Sequence, residues 1–244
     1  MKHAQLWLSS MALVALTAVA SAQTWDEIAN GGGDAGDLPG TAQVVVGSGP
    51  LTQITGALQT GGDVDLFAIF ISDPANFYAH TGSSTATTFD SKLHLFDSAG
   101  RPLWMNDDAP SDVATSLGIG SLRSYIGGGS AAGNYRSSDA PGTAGSATWG
   151  LTGPGVYYLA ISHWSRNSAT GTSQHFHSSS PYNAIKSPYA AQAVNVLGGW
   201  VGSSTTTGTY TIFLNGASFV PEPASMLALG AGLAGLVGLR RRKK

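Results

Sequence analysis

The sequence contains no cysteine and few charged residues, and each absence excludes a class of protein. Without cysteine there is no disulfide framework and no thiol nucleophile, so the fold has to be stabilised by its core, or by its core and a bound metal. Charged residues make up 11% of the 244 positions, and Glu27 and Glu222 are the only glutamates, so a catalytic carboxylate pair would have to come from aspartates. The chain also lacks a Gly-x-Ser-x-Gly elbow, a phosphate-cradling loop and a dinucleotide fingerprint, so we do not expect an enzyme.

The N-terminus has the three parts of an export signal. A short basic start precedes an almost unbroken apolar run over residues 6–20, and a small-x-small site ends at Ala22, directly before Gln23. This order predicts a signal peptide over residues 1–22 that signal peptidase cuts between Ala22 and Gln23. The alternative is an ordinary buried helix.

The C-terminus also has three parts. Pro221, Glu222 and Pro223 come first, an apolar, glycine-rich run follows over residues 224–239, and five cations end the chain at residues 240–244. As a helix the apolar run would be about 24 Å long, slightly short of a hydrocarbon core of about 30 Å. The terminal cations would hold that end in the cytoplasm, so the pattern predicts a transmembrane helix.

This ending, residues 220–244, resembles the PEP-CTERM sorting signal of Gram-negative bacteria that make exopolysaccharide and grow in biofilms or flocs. The resemblance implies recognition by exosortase, a membrane-embedded transpeptidase, and processing near the Pro-Glu-Pro motif. The expected location is the cell surface or the extracellular space, after transient anchoring in the inner membrane. A plain tail anchor that stays uncut is the alternative.

The exported part, residues 23–219, is acidic. Six of the 12 cationic residues and one of the 14 acidic residues lie in the two terminal segments, which leaves a net charge of about −7. Nucleic acid is therefore not an expected partner. Divalent cations and neutral glycans, including exopolysaccharide, are more plausible ligands for such a surface.

Short apolar stretches separated by Gly, Pro, Asn and Asp are typical of an all-β fold. We predict an antiparallel, jelly-roll-like β-sandwich between the signal helix and the transmembrane helix. The predicted strands are residues 42–46, 51–58, 64–71, 76–80, 92–96, 102–105, 156–162 and 209–214. Residues 64–71 are apolar on both faces apart from Asp65, which predicts a central strand. Residues 25–30 are expected to form a turn or helix start, and residues 127–148 and 165–187 to form long loops.

Several short motifs in this region occur in a fixed order. They are Asp34-Ala35-Gly36-Asp37-Leu38-Pro39, Gly62-Asp63-Val64-Asp65-Leu66-Phe67, Leu93-His94-Leu95-Phe96-Asp97-Ser98-Ala99-Gly100, Asn106-Asp107-Asp108 and Gly155-Val156-Tyr157-Tyr158-Leu159-Ala160. This order resembles the pre-peptidase C-terminal-type β-sandwich over residues 34–214. The segment 165–207 is longer than that pattern requires.

Two of the acidic motifs form a candidate calcium site. The side chains that two loops would supply are those of Asp63, Asp65, Asn106, Asp107 and Asp108. Calcium prefers six to eight oxygen ligands from carboxylates, amides and carbonyls, and Asp34 and Asp37 would complete the set. The alternative is that these residues only form turns and end strands.

Histidines and aromatic residues in the loops are further candidates. His175 and His177, with His163, would supply three imidazoles to a transition metal, but we favour the alternative, a polar loop with exposed histidines. The loop aromatics are Trp149, Trp164, Tyr182, Tyr189 and Trp200. They would either stack on sugar rings or cover the edge of the core. We therefore expect a non-catalytic structural or adhesive surface module, with a carbohydrate-binding module or a secreted hydrolase as alternatives.

Overall fold

The computed structural model describes residues 23–120, 122–127 and 150–222. Within these ranges the protein has fourteen strands and one seven-residue helix, which confirms the predicted all-β class. No helix in the described part of the chain is long and apolar enough to cross a membrane. The predicted signal peptide, the predicted apolar helix at 224–239 and most of the predicted loop at 127–148 lie outside the described residues.

The strands are short and are separated by turns rich in glycine. They are β1 (Gln23–Asp26), β2 (Gln43–Val44), β3 (Leu51–Leu58), β4 (Val64–Ile71), β5 (Tyr78–His80), β6 (Ser91–Phe96), β7 (Pro102–Asn106), β8 (Tyr125–Gly127), β9 (Gly155–His163), β10 (Asn167–Thr170), β11 (Ser173–Gln174), β12 (Gly199–Val201), β13 (Gly208–Asn215) and β14 (Ala217–Ser218). The single helix described, α1, spans Ser111–Leu117.

These strands form three sheets. The first sheet has five strands in the order β1-β3-β13-β5-β8, and the second has the order β14-β4-β9-β6-β7 with β2 also paired to β4. A small third sheet has the order β11-β10-β12. Most pairs are antiparallel, but β1 pairs with β3 and β2 pairs with β4 in parallel, which differs from the predicted antiparallel arrangement. The jelly-roll arrangement stays a prediction.

The main core contains side chains from both large sheets. Ile54 and Ile212 come from the five-stranded sheet, and Phe67 and Leu159 come from the six-stranded sheet, and all four are fully buried. Each such side chain contributes about 1.5–3 kcal/mol when it is transferred from water to the interior. This shared core fixes the strands that carry the charged residues described below.

The opposite face of the six-stranded sheet is also covered. Val64 and Leu66 of β4 form a second buried cluster with Phe96, Ala160 and Leu197, separate from the main core. Strand β4 therefore has apolar neighbours on both faces, and it lies between β9 on one side and β2 and β14 on the other. The predicted central position of residues 64–71 is confirmed.

Several elements were not expected from the sequence. Helix α1 follows Pro110 and ends at Gly118, whose left-handed φ of 66° closes the last turn. Its only buried residue is Val113, so it has no amphipathic repeat that a pattern search would detect. The predicted loop at 165–187 contains β10 and β11, which pair with each other, and β10 also pairs with β12.

The folded part of the chain continues up to the sorting motif. Phe219 is 6% exposed, and its ring lies 6.5 Å from that of Trp25 near the start of the described chain. Val220 donates a 2.8 Å backbone hydrogen bond to Val45 and accepts one of 3.1 Å from Gly47. The next described residues, Pro221 and Glu222, are exposed, so Val220 is the last described residue that the fold holds.

Candidate functional site

Three carboxylates meet where β1, β4 and a turn come together. Glu27 follows β1, Asp65 is the second residue of β4, and Asp34 lies in the segment that leads to β2. One oxygen from each lies within 4.8 Å of the others. Glu27 and Asp65 are fully buried, whereas Asp34 is exposed. We call these three residues the acid cluster.

Backbone and side-chain donors hold two of these carboxylates in place. The backbone N–H groups of Ala35 and Ala57 each donate a 2.9 Å hydrogen bond to Glu27, one to Oε1 and one to Oε2. The Tyr210 hydroxyl on β13 lies 2.6 Å from Asp65 Oδ2 and 3.3 Å from Glu27 Oε2. Its single proton serves mainly the shorter of these two contacts. Asp65 Oδ1 has no hydrogen-bond partner within the described residues.

Burial without a nearby cation makes it costly for both buried acids to be charged. Burial and the neighbouring Glu27 charge raise the pKa of Asp65 to about 9, despite the opposing effect of the Tyr210 hydroxyl. Burial also raises the pKa of Glu27, although its two backbone donors favour the charged form. At neutral pH Asp65 therefore keeps a proton unless a cation replaces it.

The acid cluster fits a hard cation. Two oxygens bound to one Ca²⁺ are at most about 5 Å apart, and the three carboxylates meet this condition. The free Oδ1 of Asp65 is a buried acceptor that faces no donor of the described chain, and the exposed Asp34 provides an entrance. Among the described residues this is the one group of three or more acidic or histidine side chains with such spacing.

The structure does not bring the two predicted halves of the calcium site together. Along the sheet, Asp65 lies beside Ile161, which lies beside Leu93, which lies beside Asn106. Three strand spacings of about 4.8 Å each therefore separate Asp65 from Asn106. The two halves belong to different clusters, and calcium binding itself stays a prediction.

The other predicted ligands have partners that explain them structurally. Asp63 Oδ2 accepts a 2.5 Å hydrogen bond from the backbone of Gln59, which closes the turn before β4. Asn106 accepts a 2.8 Å bond from the Tyr125 backbone and donates one of 2.8 Å to the Asp108 carbonyl. These are the turn-forming and bridging roles that were the alternative to metal binding.

Asp107 and Asp37 complete the predicted set. Asp107 Oδ2 lies 3.7 Å from the ammonium of Lys92, which is buried beside it. That ammonium repels a metal cation, so Asp107 is not a suitable ligand. Asp37 is exposed, and its backbone carbonyl accepts a 2.8 Å hydrogen bond from the indole of Trp200.

The three histidines do not converge on one point. His175 is fully buried and its Nε2 lies 2.9 Å from the Thr170 hydroxyl, so the exposed loop expected here is wrong for this residue. His177 Nδ1 contacts the Tyr189 hydroxyl at 2.9 Å, and His163 Nδ1 contacts Ser165 at 2.8 Å. Each ring has its own local partner, and no described metal-holding group contains them.

The loop aromatics divide into exposed and packed side chains. Trp164 is 47% exposed and Tyr182 is 48% exposed. Trp200 packs edge-on against His94 at 5.0 Å and against Phe96 at 6.4 Å, so it covers the core edge. Trp149 lies outside the described residues.

Sequence reasoning missed Glu27, Tyr210 and Lys92. Glu27 is the sole glutamate of the exported domain, and Lys92 is a single cation at the start of an apolar strand. Both are isolated charged residues beside apolar residues, and this pattern is the sequence feature that could have indicated buried charges. Other partners are distant in sequence: Asn167 is 75 residues from Lys92, and Tyr210 is 183 residues from Glu27, so spacing alone does not identify them.

Residues 219–243 match the PEP-CTERM protein-sorting motif, which confirms the resemblance seen at the C-terminus. No curated protein and no solved structure matches the chain, so the pre-peptidase C-terminal-type resemblance stays a prediction. The match begins at Phe219 and Val220, the last described residues that the fold holds, and the motif directs a protein out of the cell. The chain is therefore a substrate of exosortase that is sorted to the cell surface.

Proposed function

We propose that the domain is a non-catalytic structural or adhesive module of the cell surface, associated with exopolysaccharide in a biofilm. In this proposal signal peptidase removes residues 1–22, the C-terminal helix anchors the chain transiently in the inner membrane, and the two large sheets form a sandwich. The observation that carries the proposal is the sorting motif at residues 219–243, joined directly to an all-β domain.

The chemistry of the described residues supports a role without catalysis. The acids with the most strongly raised pKa values, Asp65 and Asp107, are buried, and the pocket that Asp107 lines is small, about 150 Å³. An open groove of about 620 Å³ contains Asp97 and Arg101. There, Asp97 accepts bonds of 2.9 Å from the backbones of Ala99 and Arg101 and of 2.7 Å from the Arg101 side chain, so it is committed to its own turn.

We also propose that calcium binds to the acid cluster and strengthens the domain outside the cell. Asp65, Asp34 and Glu27 would hold the ion, and the ion would supply the positive charge that the cluster lacks. The support is the buried, unpartnered Oδ1 of Asp65 beside two other carboxylates. Binding of an ion to the folded state alone raises stability by mass action.

Thermal unfolding of the purified protein in EDTA and in calcium tests this proposal. We expect EDTA to lower the melting temperature and calcium to restore it. Asp65→Asn should abolish the calcium response, whereas Asp112→Asn, which changes an exposed acid on α1, should keep it. An equal melting temperature of the wild-type protein in both conditions would rule out the calcium site.

The surface assignment has its own test in the native host. Mass spectrometry of the C-terminal peptide in cell-envelope and extracellular fractions should show chains that end near Pro221-Glu222-Pro223. Chains that retain Lys244 in the membrane fraction would instead identify a simple tail anchor.

The exposed side chain of Trp164 favours carbohydrate binding as a second candidate function. An indole that is 47% exposed offers a flat apolar face to a sugar ring. We expect Trp164→Ala to reduce retention on the host's polysaccharide without changing the melting temperature. Tyr182→Ala, at a second exposed aromatic, is the matched control. Equal retention of wild type and Trp164→Ala would exclude this binding site.

A further inference from the structure

A buried lysine contacts a side-chain amide on a different sheet. Lys92, the second residue of β6, is 1% exposed, and its Nζ donates a 3.0 Å hydrogen bond to Oδ1 of Asn167, the first residue of β10. The same Nζ lies 3.7 Å from Oδ2 of Asp107. We call Lys92, Asp107 and Asn167 the lysine cluster. The hydrogen bond places Nζ beside the side-chain amide of Asn167, whose carbon is bonded directly to the accepting oxygen. Proximity of this kind is the first requirement of a reaction between two side chains.

The surroundings favour transfer of the proton from the lysine to the aspartate. Burial lowers the pKa of Lys92, against the attraction of Asp107, Asp90 and Asp108. Burial also raises the pKa of Asp107 to about 7. Asp107 Oδ1 has no hydrogen-bond partner within the described residues, so it is free to receive a proton. Of the other charged groups nearby, Arg123 is the cation that faces Asp90.

From this geometry we infer that Lys92 and Asn167 form an intramolecular isopeptide bond, with Asp107 as the group that transfers the proton. Asp107 accepts a proton from the Lys92 ammonium, and the free amine attacks the amide carbon of Asn167. Asp107 then gives this proton to the leaving nitrogen and accepts the second proton that Nζ loses on becoming an amide nitrogen, so Asp107 ends protonated and the leaving ammonia is neutral. A C–N bond to Nζ forms, the C–N bond of the side-chain amide breaks, and ammonia leaves. No oxidant or other reagent is required.

The bond would add a covalent link between two sheets that hydrogen bonds and side-chain packing already hold together. Lys92 belongs to the six-stranded sheet, and Asn167 belongs to the small sheet formed by β10, β11 and β12. The two residues are 75 positions apart, so the bond would close a long loop in a chain without cysteine. Cross-links that close long loops restrict the unfolded chain most strongly. An exported protein without disulfides gains a permanent cross-link in this way.

Peptide mass spectrometry of the full chain, purified and then digested in denaturant, tests the inference. We expect a branched peptide that joins the segment around Lys92 to the segment around Asn167 and is lighter than the two linear peptides together by one ammonia, about 17 Da. Lys92→Arg should contain only linear peptides. Lys186→Arg, which replaces another buried lysine, should retain the branched peptide.

Two further results test the role of Asp107 and the identity of the linked residues. Asp107→Asn keeps both linked residues, and it should leave the peptides linear because the proton-transferring group is lost. A branched peptide in that variant would overturn the role of Asp107. Unmodified linear peptides in the wild-type protein, or a branch from Lys92 to Asp107 with loss of water, about 18 Da, would overturn the inferred bond.

Discussion

The acid cluster and the lysine cluster lie at the same end of the six-stranded sheet but on opposite faces. Cross-strand partners share a face, so Asp65 shares one with Leu93 of the main core, whereas Lys92 shares the other with Ser162 and Val64. Both clusters contain fully buried charged residues. The acid cluster has no cation of its own and needs a proton or an ion from solution. Before the inferred bond forms, the lysine cluster contains its own cation, because the ammonium of Lys92 lies beside Asp107.

The largest expected effect is on the lysine cluster. Lys92→Met removes the inferred cross-link and also leaves Asp107 buried without its neighbouring Nζ. We expect the two effects to lower the free energy of unfolding by about 3–5 kcal/mol. Urea denaturation at pH 7 measures this loss. The double variant Lys92→Met/Asp107→Asn removes both charges and should recover part of the stability. If the single variant loses less than about 1 kcal/mol in the free energy of unfolding, Lys92 does not stabilise the buried Asp107. The proposed difference between the acid cluster and the lysine cluster would then be wrong.

A smaller effect is expected where the backbone approaches the acid cluster. A methyl group at Gly56 on β3 would collide with Glu27 Oε2 and with the Tyr210 hydroxyl. Gly56→Ala should therefore displace the Tyr210 hydroxyl from Asp65 and cost about 1–3 kcal/mol. Gly40→Ala is the matched control, because nothing lies within 4 Å of its new methyl group. Equal denaturation midpoints of the two variants would show that the acid cluster tolerates displacement of the Tyr210 hydroxyl.

The smallest loss of stability is expected for a substitution of Asp65 at low pH. The same carboxyl should also make the stability of the wild-type protein depend on pH. An acid whose pKa is raised by folding stabilises most below its unfolded pKa, and that contribution is lost as the pH rises through its folded pKa. The pKa of this carboxyl is 3.8 in the unfolded chain and about 9 in the fold, so the stability of the wild-type protein in EDTA should fall between these two pH values. Asp65→Asn should cost about 1 kcal/mol or less at pH 5, since the native side chain is already neutral there.

Denaturation curves across this pH range provide the readout. The asparagine variant should lack most of the decline, and saturating calcium should reduce the decline in the wild-type protein, because a bound cation replaces the proton. A wild-type stability that rises from pH 5 to pH 9 would show that Asp65 is ionised in the folded state even when no cation is bound.

Local signals predicted the strands well where turns bound them. Strands β3 and β4 have the predicted bounds, because Gly47 to Pro50 and Gly61 to Gly62 interrupt the apolar pattern on either side. Helix α1 was missed because a single buried residue, Val113, creates no period. Strand β1 was missed for a similar reason, since Trp25 is its only buried residue and its pairing partner β3 is distant in sequence.

The candidate site was predictable only in part. Asp65 and Asp34 were recognised from the Asp-rich motifs, but the expected union of Asp65 with Asn106 required two loops to meet. The order of the strands in a sheet determines which loops lie close together, and here β9 and β6 lie between β4 and β7. Glu27 reaches Asp65 because β1 pairs in parallel with β3, a long-range contact that residue types and spacing do not encode.

The backbone bonds of Val220 set the length of any tether that remains after processing. A fully extended chain spans at most about 3.6 Å per residue, so cleavage after Pro223 would leave roughly 10 Å between the fold and the new terminus. Any group attached to that terminus would lie close to the body of the domain, near the contact between Phe219 and Trp25. The domain would then have little freedom to swing away from its attachment point, and the face around β1 would be oriented toward the surface that carries it.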